Sequence, residues 1–253
     1  MKVFILGGKG FIGSAFTRFC ENEGIDYDCI DLDNYDTFWG QGCDLLINAA
    51  GNSKKYLANE DPVRDFRYSL EALLHSFFDF SFRKYVFISS IDVYPDHQDP
   101  RHNREDTGID LKKLSHYGFH KYLGEKLVRH YISDWLIIRL GGVLGPGLKK
   151  NPVFDLLHDI PLRVDEDSRY QYLPTALAAE FVFELVKRDI RCDVFNLCGR
   201  GTISLKKIRL GLNKPLCYLH KDPPLETYKV NNEKISQLID LPESEMVVKE
   251  FLI

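Results

Sequence analysis

The apolar run Val3-Phe4-Ile5-Leu6 breaks straight into Gly7-Gly8-Lys9-Gly10-Phe11-Ile12-Gly13, and a helical pattern follows over residues 14–22. An uninterrupted apolar run that ends at glycines reads as a buried strand, and the periodic stretch beyond it as a helix packed against that strand. Two glycine registers are satisfied at once, Gly7-x-x-Gly10-x-x-Gly13 and Gly8-x-Gly10-x-x-Gly13. Glycines so placed allow a tight turn, let a pyrophosphate approach the main chain and let the helix pack closely. The helix N-terminus then offers unpaired amides and positive dipole to the anion. A glycine triplet alone is a weak signal. Here it follows one strand, opens a helix and precedes Asp31 at the end of a second strand, residues 27–30, which is the context a dinucleotide-binding turn requires.

A carboxylate at that strand end accepts hydrogen bonds from the ribose hydroxyls and repels a 2'-phosphate, so Asp31 favours NAD over NADP. Asp33 and Asp36 are alternative ribose carboxylates, each weighed against plain solvated charge. Between Asp31 and Asp44 there is too little chain for a helix, a strand and a second helix, so this edge of the fold is expected to be abbreviated.

Apolar strands and helical stretches continue to alternate: strand 44–48, helix 62–80, strand 85–90, a polar loop through Gly108, a helix carrying Tyr117 and Lys121, and strand 135–139. Strands that are apolar throughout, rather than on one face, imply a parallel sheet covered on both sides. The predicted fold is therefore α/β, a doubly wound parallel sheet of Rossmann type with a small carboxyl-terminal substrate lobe. Residues 1–147 are assigned to the NAD-binding domain and 148–253 mainly to the lobe. Within the second part the pattern predicts a helix at 152–158, a strand at 162–164, a helix at 174–187, a strand at 194–197 returning to the sheet, and short helices at 204–211 and 232–239.

Composition excludes several classes. A chain of 253 residues with 44% hydrophobic and 28% charged residues and a net charge of -4 is that of an ordinary soluble globular protein. Its basic pairs, such as Lys112-Lys113 and Lys206-Lys207, are short and separated, which gives nucleic acid nothing to hold. No apolar run is long enough for a membrane span or a signal peptide, and the expected location is cytoplasmic. The six cysteines form no Cys-x-x-Cys pair and have no histidines at zinc spacing, so reduced thiols and no metal are expected.

Tyr117 and Lys121 are four residues apart on one helix, so their side chains leave the same face. A cation beside a phenol favours phenolate and lets tyrosine exchange a proton with a hydroxyl or carbonyl near neutral pH. An exposed helix pair is the commoner explanation of Tyr-x-x-x-Lys alone. Ser90, at the end of a preceding strand, adds a hydroxyl that with Tyr117 can bracket a reacting oxygen.

The glycine turn, Asn48-Ala49-Ala50-Gly51, Ser89-Ser90-Ile91-Asp92-Val93-Tyr94, Tyr117-Gly118-Phe119-His120-Lys121 and Arg139-Leu140-Gly141-Gly142-Val143-Leu144-Gly145-Pro146-Gly147 occur in this order. With them the chain resembles the extended short-chain dehydrogenase/reductases, specifically the NAD-dependent epimerase/dehydratase family that acts on nucleotide sugars. The resemblance covers roughly residues 1 to 200. It implies Tyr117 as the catalytic acid/base, Lys121 as the group that lowers its pKa and holds the nicotinamide ribose, and Ser90 as a hydrogen-bond partner of the reacting oxygen. It further implies that Gly7, Gly8, Gly10, Phe11, Ile12 and Gly13 line the pyrophosphate, that Ala49, Ala50 and Gly51 pass beneath the cofactor, and that residues 140–143, Leu140 and Val143 among them, flank the nicotinamide. A homodimer through the helices at 62–80 and 115–131 is implied in the same way.

The sequence departs from that pattern at informative places. Ser69 stands where the family often has a structural asparagine. Ile91 and Asp92 stand where sugar dehydratases have an aspartic acid and a glutamate, and an isoleucine cannot protonate a leaving hydroxyl. Dehydration is thereby disfavoured unless Asp92 serves as the acid; the alternative for Asp92 is to cap the loop before Pro95. Substrate candidates are Asn52, Ser53, Lys54, Asp92, His116, Asn151, Arg163 and Arg169, each polar and near a predicted strand end or the lobe. The expected function is NAD-dependent epimerisation or reduction of a sugar, most plausibly nucleotide-linked. The alternatives are a non-catalytic NAD-sensing or partner-binding module and a reductase of a nonsugar carbonyl.

Overall fold

The computed structural model describes residues 1–52 and 55–253. Ser53 and Lys54, named above as substrate candidates, lie outside the described residues. The strands are β1 (Lys2–Leu6), β2 (Asp26–Ile30), β3 (Gly42–Asn48), β4 (Ser81–Ser90), β5 (Trp135–Leu140), β6 (Gly142–Leu144), β7 (Arg169–Tyr170), β8 (Tyr172–Pro174), β9 (Asp193–Leu197) and β10 (Ile203–Ser204). The helices are α1 (Gly13–Glu23), α2 (Lys55–Glu60), α3 (Pro62–Phe66), α4 (Ala72–Asp79), α5 (His116–Tyr131), α6 (Pro152–Leu157), α7 (Thr175–Lys187), α8 (Leu205–Gly211), α9 (Glu233–Ser236) and α10 (Ser244–Phe251).

Six strands form one sheet in the order β2-β1-β3-β4-β5-β9, every neighbouring pair parallel. Because strand residues alternate in direction, one face presents Ile5, Ile47, Ile88, Ile138 and Phe195 to Phe16 of α1 and Phe183 of α7. The other presents Phe4, Leu46, Phe87 and Ile137 to Leu73 and Phe77 of α4 and Val128 of α5. Both faces are thus covered and the sheet is doubly wound, as the apolar strands predicted. The chain order reverses at β1, which has β2 on one side and β3 on the other. A reversal of this kind opens a crevice beyond the carboxyl ends of the strands, where open α/β sheets bind ligands.

The abbreviated edge is real. Residues between β2 and β3 form only a single 3₁₀ turn, Tyr35–Phe38, whose Tyr35 ring meets Phe80 edge-on at 5.0 Å. The helix predicted over 62–80 is continuous but is not α throughout: residues Arg67–Glu71 form a π turn between α3 and α4. Asp61 opens it by accepting from Arg64 N at 2.9 Å, with Pro62 in the first turn. β9 returns to the sheet beside β5, pairing Phe195 with Ile138.

Beyond Leu144 a separate apolar cluster gathers Val153, Leu156, Leu162, Tyr170, Tyr172, Leu205 and Val247. The strand expected at 162–164 is reduced to one bridge, Leu162 with Tyr218, because the facing chain at 217–219 stays in register for a single residue. The helix expected at 232–239 is shorter, Glu233–Ser236. All six cysteines are free, and no helix among the described residues is long and apolar enough to cross a membrane.

Candidate active site

The glycine turn sits at the carboxyl end of β1. Gly7 has φ +75°, and a Cβ there would stand 2.9 Å from the Ala50 backbone, so the turn lies directly against Ala49-Ala50, just past β3. Ile12 caps α1 without any side-chain hydrogen bond to the first-turn amides. A helix start without a side-chain cap, directly after a glycine-rich turn, fits a dinucleotide pyrophosphate. Asp31 lies just past β2, its Oδ2 accepting from Lys9 N at 3.0 Å and from Cys29 Sγ at 3.3 Å. The predicted ribose carboxylate is therefore pinned against the glycine turn itself. Asp33 instead takes the Lys9 ammonium at 2.5 Å, out in solvent.

Ser90 ends β4 and Tyr117 and Lys121 come from α5. Ser115 caps that helix, its Oγ accepting from Gly118 N at 3.1 Å. Gly118 sets the approach: a Cβ there would collide with the Asp92 carbonyl, so only glycine lets the first turn of α5 lie against the loop after β4. Tyr117 and Lys121 are both buried on that inner face. Lys121 Nζ donates to the Ile88 carbonyl at 3.1 Å and lies 5.3 Å from the Phe87 ring centroid. Burial lowers its pKa to about 8, against the opposing pull of the Asp65, Glu125 and Asp92 carboxylates.

The phenol differs from the sequence expectation. Burial pushes the Tyr117 hydroxyl well above the ordinary tyrosine range and the Asp92 charge adds to it, while Lys55 and Ser90 oppose. Spacing alone pointed to stabilised phenolate; the protein without ligand favours the phenol.

Asp92 does not simply cap a loop. Its side chain is buried within the site, where Oδ2 accepts from Ser90 Oγ at 2.9 Å and Oδ1 accepts from Lys55 Nζ at 2.6 Å and Tyr228 OH at 3.2 Å. Burial, the largest single influence, disfavours this carboxylate, but the Lys55 ammonium, His97 and the Ser90 hydrogen bond together hold its pKa below the usual value. His97 Nε2 stands 3.8 Å from Oδ1, beyond hydrogen-bond reach, and has no partner among the described residues. Burial disfavours its protonation. Tyr228 arrives from a distant segment, stacked on Tyr170 at 5.5 Å and against His97 at 4.4 Å.

Behind Tyr117 and Lys121 lies a second buried carboxylate. Asp65, fully enclosed, accepts from Asn52 Nδ2 at 2.6 Å and pairs with His120 Nδ1 at 2.5 Å. Ser69, in the π turn where the family often has asparagine, reaches the same carboxylate at 3.5 Å. Asn52 thus belongs to a buried cluster around the tyrosine–lysine pair.

The remaining candidates are dispersed. His116 is exposed at the start of α5. Asn151 caps α6, accepting from Phe154 N at 2.8 Å, and Arg169 donates to Thr202 Oγ1 at 3.0 Å. Arg163 is exposed; Leu140 is buried at the end of β5 and Val143 half-buried in β6. Among the described residues no group of three or more His, Cys, Asp or Glu side chains could hold a metal ion. Sequence reasoning passed over Lys55, Asp65, His97 and Tyr228. Lys55 directly follows the named candidates at 52–54, which was the one available signal.

Residues 3–162 match the NAD dependent epimerase/dehydratase family. The chain belongs to that family. It is thereby one of a family of enzymes. No curated protein matches the sequence. Among solved structures, a UDP-galactose 4-epimerase is 20% identical with a TM-score of 0.80, over 99% of this chain and 97% of that one. MoeE5 in complex with UDP-glucuronic acid and NAD is 16% identical with a TM-score of 0.82, over 100% and 99%. A dTDP-4-dehydrorhamnose reductase from Bacillus anthracis in complex with NADP is 16% identical with a TM-score of 0.77, over 99% and 97%. At these identities the likeness is one of fold.

Proposed function

We propose that this epimerase/dehydratase-family protein catalyses NAD-dependent oxidation–reduction at a sugar carbinol, as an epimerase or a reductase of a nucleotide-linked sugar, in the cytoplasm. The observation that carries the proposal is the burial of Ser90 at the carboxyl end of β4 and of Tyr117 and Lys121 on α5, whose Lys121 reaches the Ile88 carbonyl of β4, in the sheet whose β1 carries the glycine turn. Residues 7–13 bind the pyrophosphate, Asp31 the adenosine ribose, and residues 49–51, Leu140 and Val143 line the cofactor's path. Asp31 favours NAD, because a carboxylate fixed against the turn repels a 2'-phosphate. The bound nicotinamide supplies a hydride acceptor or donor. Tyr117 exchanges the proton of the reacting oxygen, and Lys121 holds the nicotinamide ribose. Residues 148–253, apart from α7 and the returning strand β9 that pack with the sheet, form the substrate lobe, and two copies pair through the helices at 62–80 and 115–131.

Dehydration is disfavoured on two grounds. Ile91 has no proton to give, and Asp92, held ionised by Lys55, is a poor acid near neutral pH. A steady-state assay separates the remaining reactions. An epimerase converts UDP-sugars without stoichiometric NADH, whereas continuous NADH loss with a keto-sugar identifies a reductase. Failure of either reaction across a panel of UDP- and dTDP-sugars and their 4-keto forms counts against the sugar assignment.

A further inference from the structure

Asp65 is fully buried, and three separate segments of the chain meet at its carboxylate. Oδ1 accepts from Asn52 Nδ2 at 2.6 Å, one residue past Gly51, and from Ser69 Oγ of the π turn at 3.5 Å. Oδ2 pairs with Nδ1 of His120 on α5 at 2.5 Å. A carboxylate only accepts, so Nδ1 carries the hydrogen of that bond. His120 is itself 7% exposed and meets Phe66 edge-on at 5.6 Å. Enclosing a carboxylate this fully is costly unless donors surround it, and removing one donor strands the rest. Ser69, standing where the family often has asparagine, is the longest of the three contacts, so the tie between the segments rests on Asn52 and His120. We propose that Asp65, acting through His120, fixes the rotation of α5 and thereby places Lys121 against the nicotinamide half of the cofactor.

The helix has two polar anchors on different sides of its axis. Glu125 accepts from Ser89 of β4 at 2.7 Å and from Arg139 of β5 at 2.8 Å, and His120 reaches Asp65 of α3. At 3.6 residues per turn the two project about 140° apart around α5, with Tyr117 and Lys121 between them, about 60° and 100° from His120. One anchor lets a helix roll; two so placed hold it, and the tyrosine and lysine with it. Asp65 is a positioning residue, because it acts on Lys121 through His120. The other side of the cofactor path is set without it. Ala49 N donates to Leu6 O at 3.0 Å, Ala50 N to Asn48 Oδ1 at 3.0 Å, and Lys9 N to Asp31 Oδ2 at 3.0 Å. Loss of Asp65 should therefore loosen the half of the dinucleotide that meets α5 and leave the adenosine half held. The inference rests on the NAD reading above, with Lys121 on the nicotinamide ribose.

Calorimetric titration with NAD and with ADP separates the two halves. Asp65→Ala should bind ADP as the wild type does and NAD about tenfold more weakly, the effect of one misplaced hydrogen bond from a charged group. His120→Leu removes only the donor and should show the same split. His120→Asn keeps an amide N–H that can reach Asp65 and should recover most of the NAD affinity. A role in folding alone would weaken both ligands together or neither. Equal weakening of NAD and ADP overturns the proposal, as does unchanged NAD affinity in Asp65→Ala and His120→Leu, or a His120→Asn variant no better than His120→Leu. If Asp65→Ala does not fold, the two His120 variants decide the matter by the same criteria. The wild type separates this inference from the reading beneath it. Wild-type protein that binds neither ligand refutes the NAD reading and the proposal together, whereas wild-type binding of both with no split in the variants refutes the proposal alone.

Discussion

Ser89 and Ser90 are neighbours on β4, and their side chains enter two opposite kinds of polar network. Ser89 Oγ donates to Glu125 at 2.7 Å, and Glu125 takes both the Nε and Nη2 of Arg139, at 2.9 and 2.8 Å. Arg139 also reaches Tyr94, which donates to Asn196 at 2.8 Å. Glu125 is fully buried and Arg139 is 2% exposed. Every charge there is matched, the cluster is sealed, and it ties α5, β4, β5 and β9 together. The Ser90 network is open: Lys55 is half in solvent, and a histidine nitrogen lacks a hydrogen-bond partner among the described residues. A closed network fixes a fold because breaking it strands a buried charge. An open one leaves its charges within reach of solvent.

The largest effect should come from breaking the sealed side. Arg139→Met leaves Glu125 buried and unpaired and should destabilise the protein by about 3–5 kcal/mol. Denaturant unfolding reads this as a lower midpoint, and Arg139→Met combined with Glu125→Leu should recover much of the loss. By contrast Asp92→Asn on the open side should cost clearly less, because Lys55 can turn to water and the amide oxygen still accepts a hydrogen bond. A cost as large as that of Arg139→Met would erase the distinction between the two serines.

Lys121 gives an intermediate effect with a defined sign. Its folded pKa of about 8 lies below the unfolded value, so the unfolded chain binds more protons between the two and stability rises with pH across that interval. Lys121→Met should therefore be more stable than the wild type at neutral pH, on the order of 1–3 kcal/mol. That lead should shrink as pH rises from about 8 toward the ordinary lysine value of about 10.4. Thermal melts at several pH values check it; a lead independent of pH would mean that Lys121 is not held against its charge.

Smallest is the cofactor-side effect. Asp31→Ala should leave stability nearly unchanged while weakening NAD and improving NADP, a change in preference of about tenfold, measured by calorimetric titration of both dinucleotides. An unchanged preference would shift the ribose contact away from Asp31.

Much of this was legible in the sequence. Glycines after an apolar strand, alternating apolar runs and the short interval after Asp31 predicted the parallel sheet and its abbreviated edge, because each depends on local pattern. Ser90, Tyr117 and Lys121 were singled out by their spacing and chain order, and the structure buries all three along β4 and α5. Lys55, Asp65, His97 and Tyr228 were not, because what places them is tertiary. Tyr228 meets Asp92 across 136 residues of chain, and no periodicity records such a meeting. The π turn at Arg67–Glu71 was equally hidden, since apolar spacing reads as helix whichever hydrogen-bond ladder forms.

The central claim is that Tyr117 moves the proton during hydride transfer. The most direct measurement compares wild type with Tyr117→Phe for NAD affinity by calorimetry and for turnover of UDP- or dTDP-sugars. The expected result is an unchanged NAD affinity with turnover reduced by about 10²–10⁴-fold. Turnover equal to that of the wild type at unchanged affinity would contradict it.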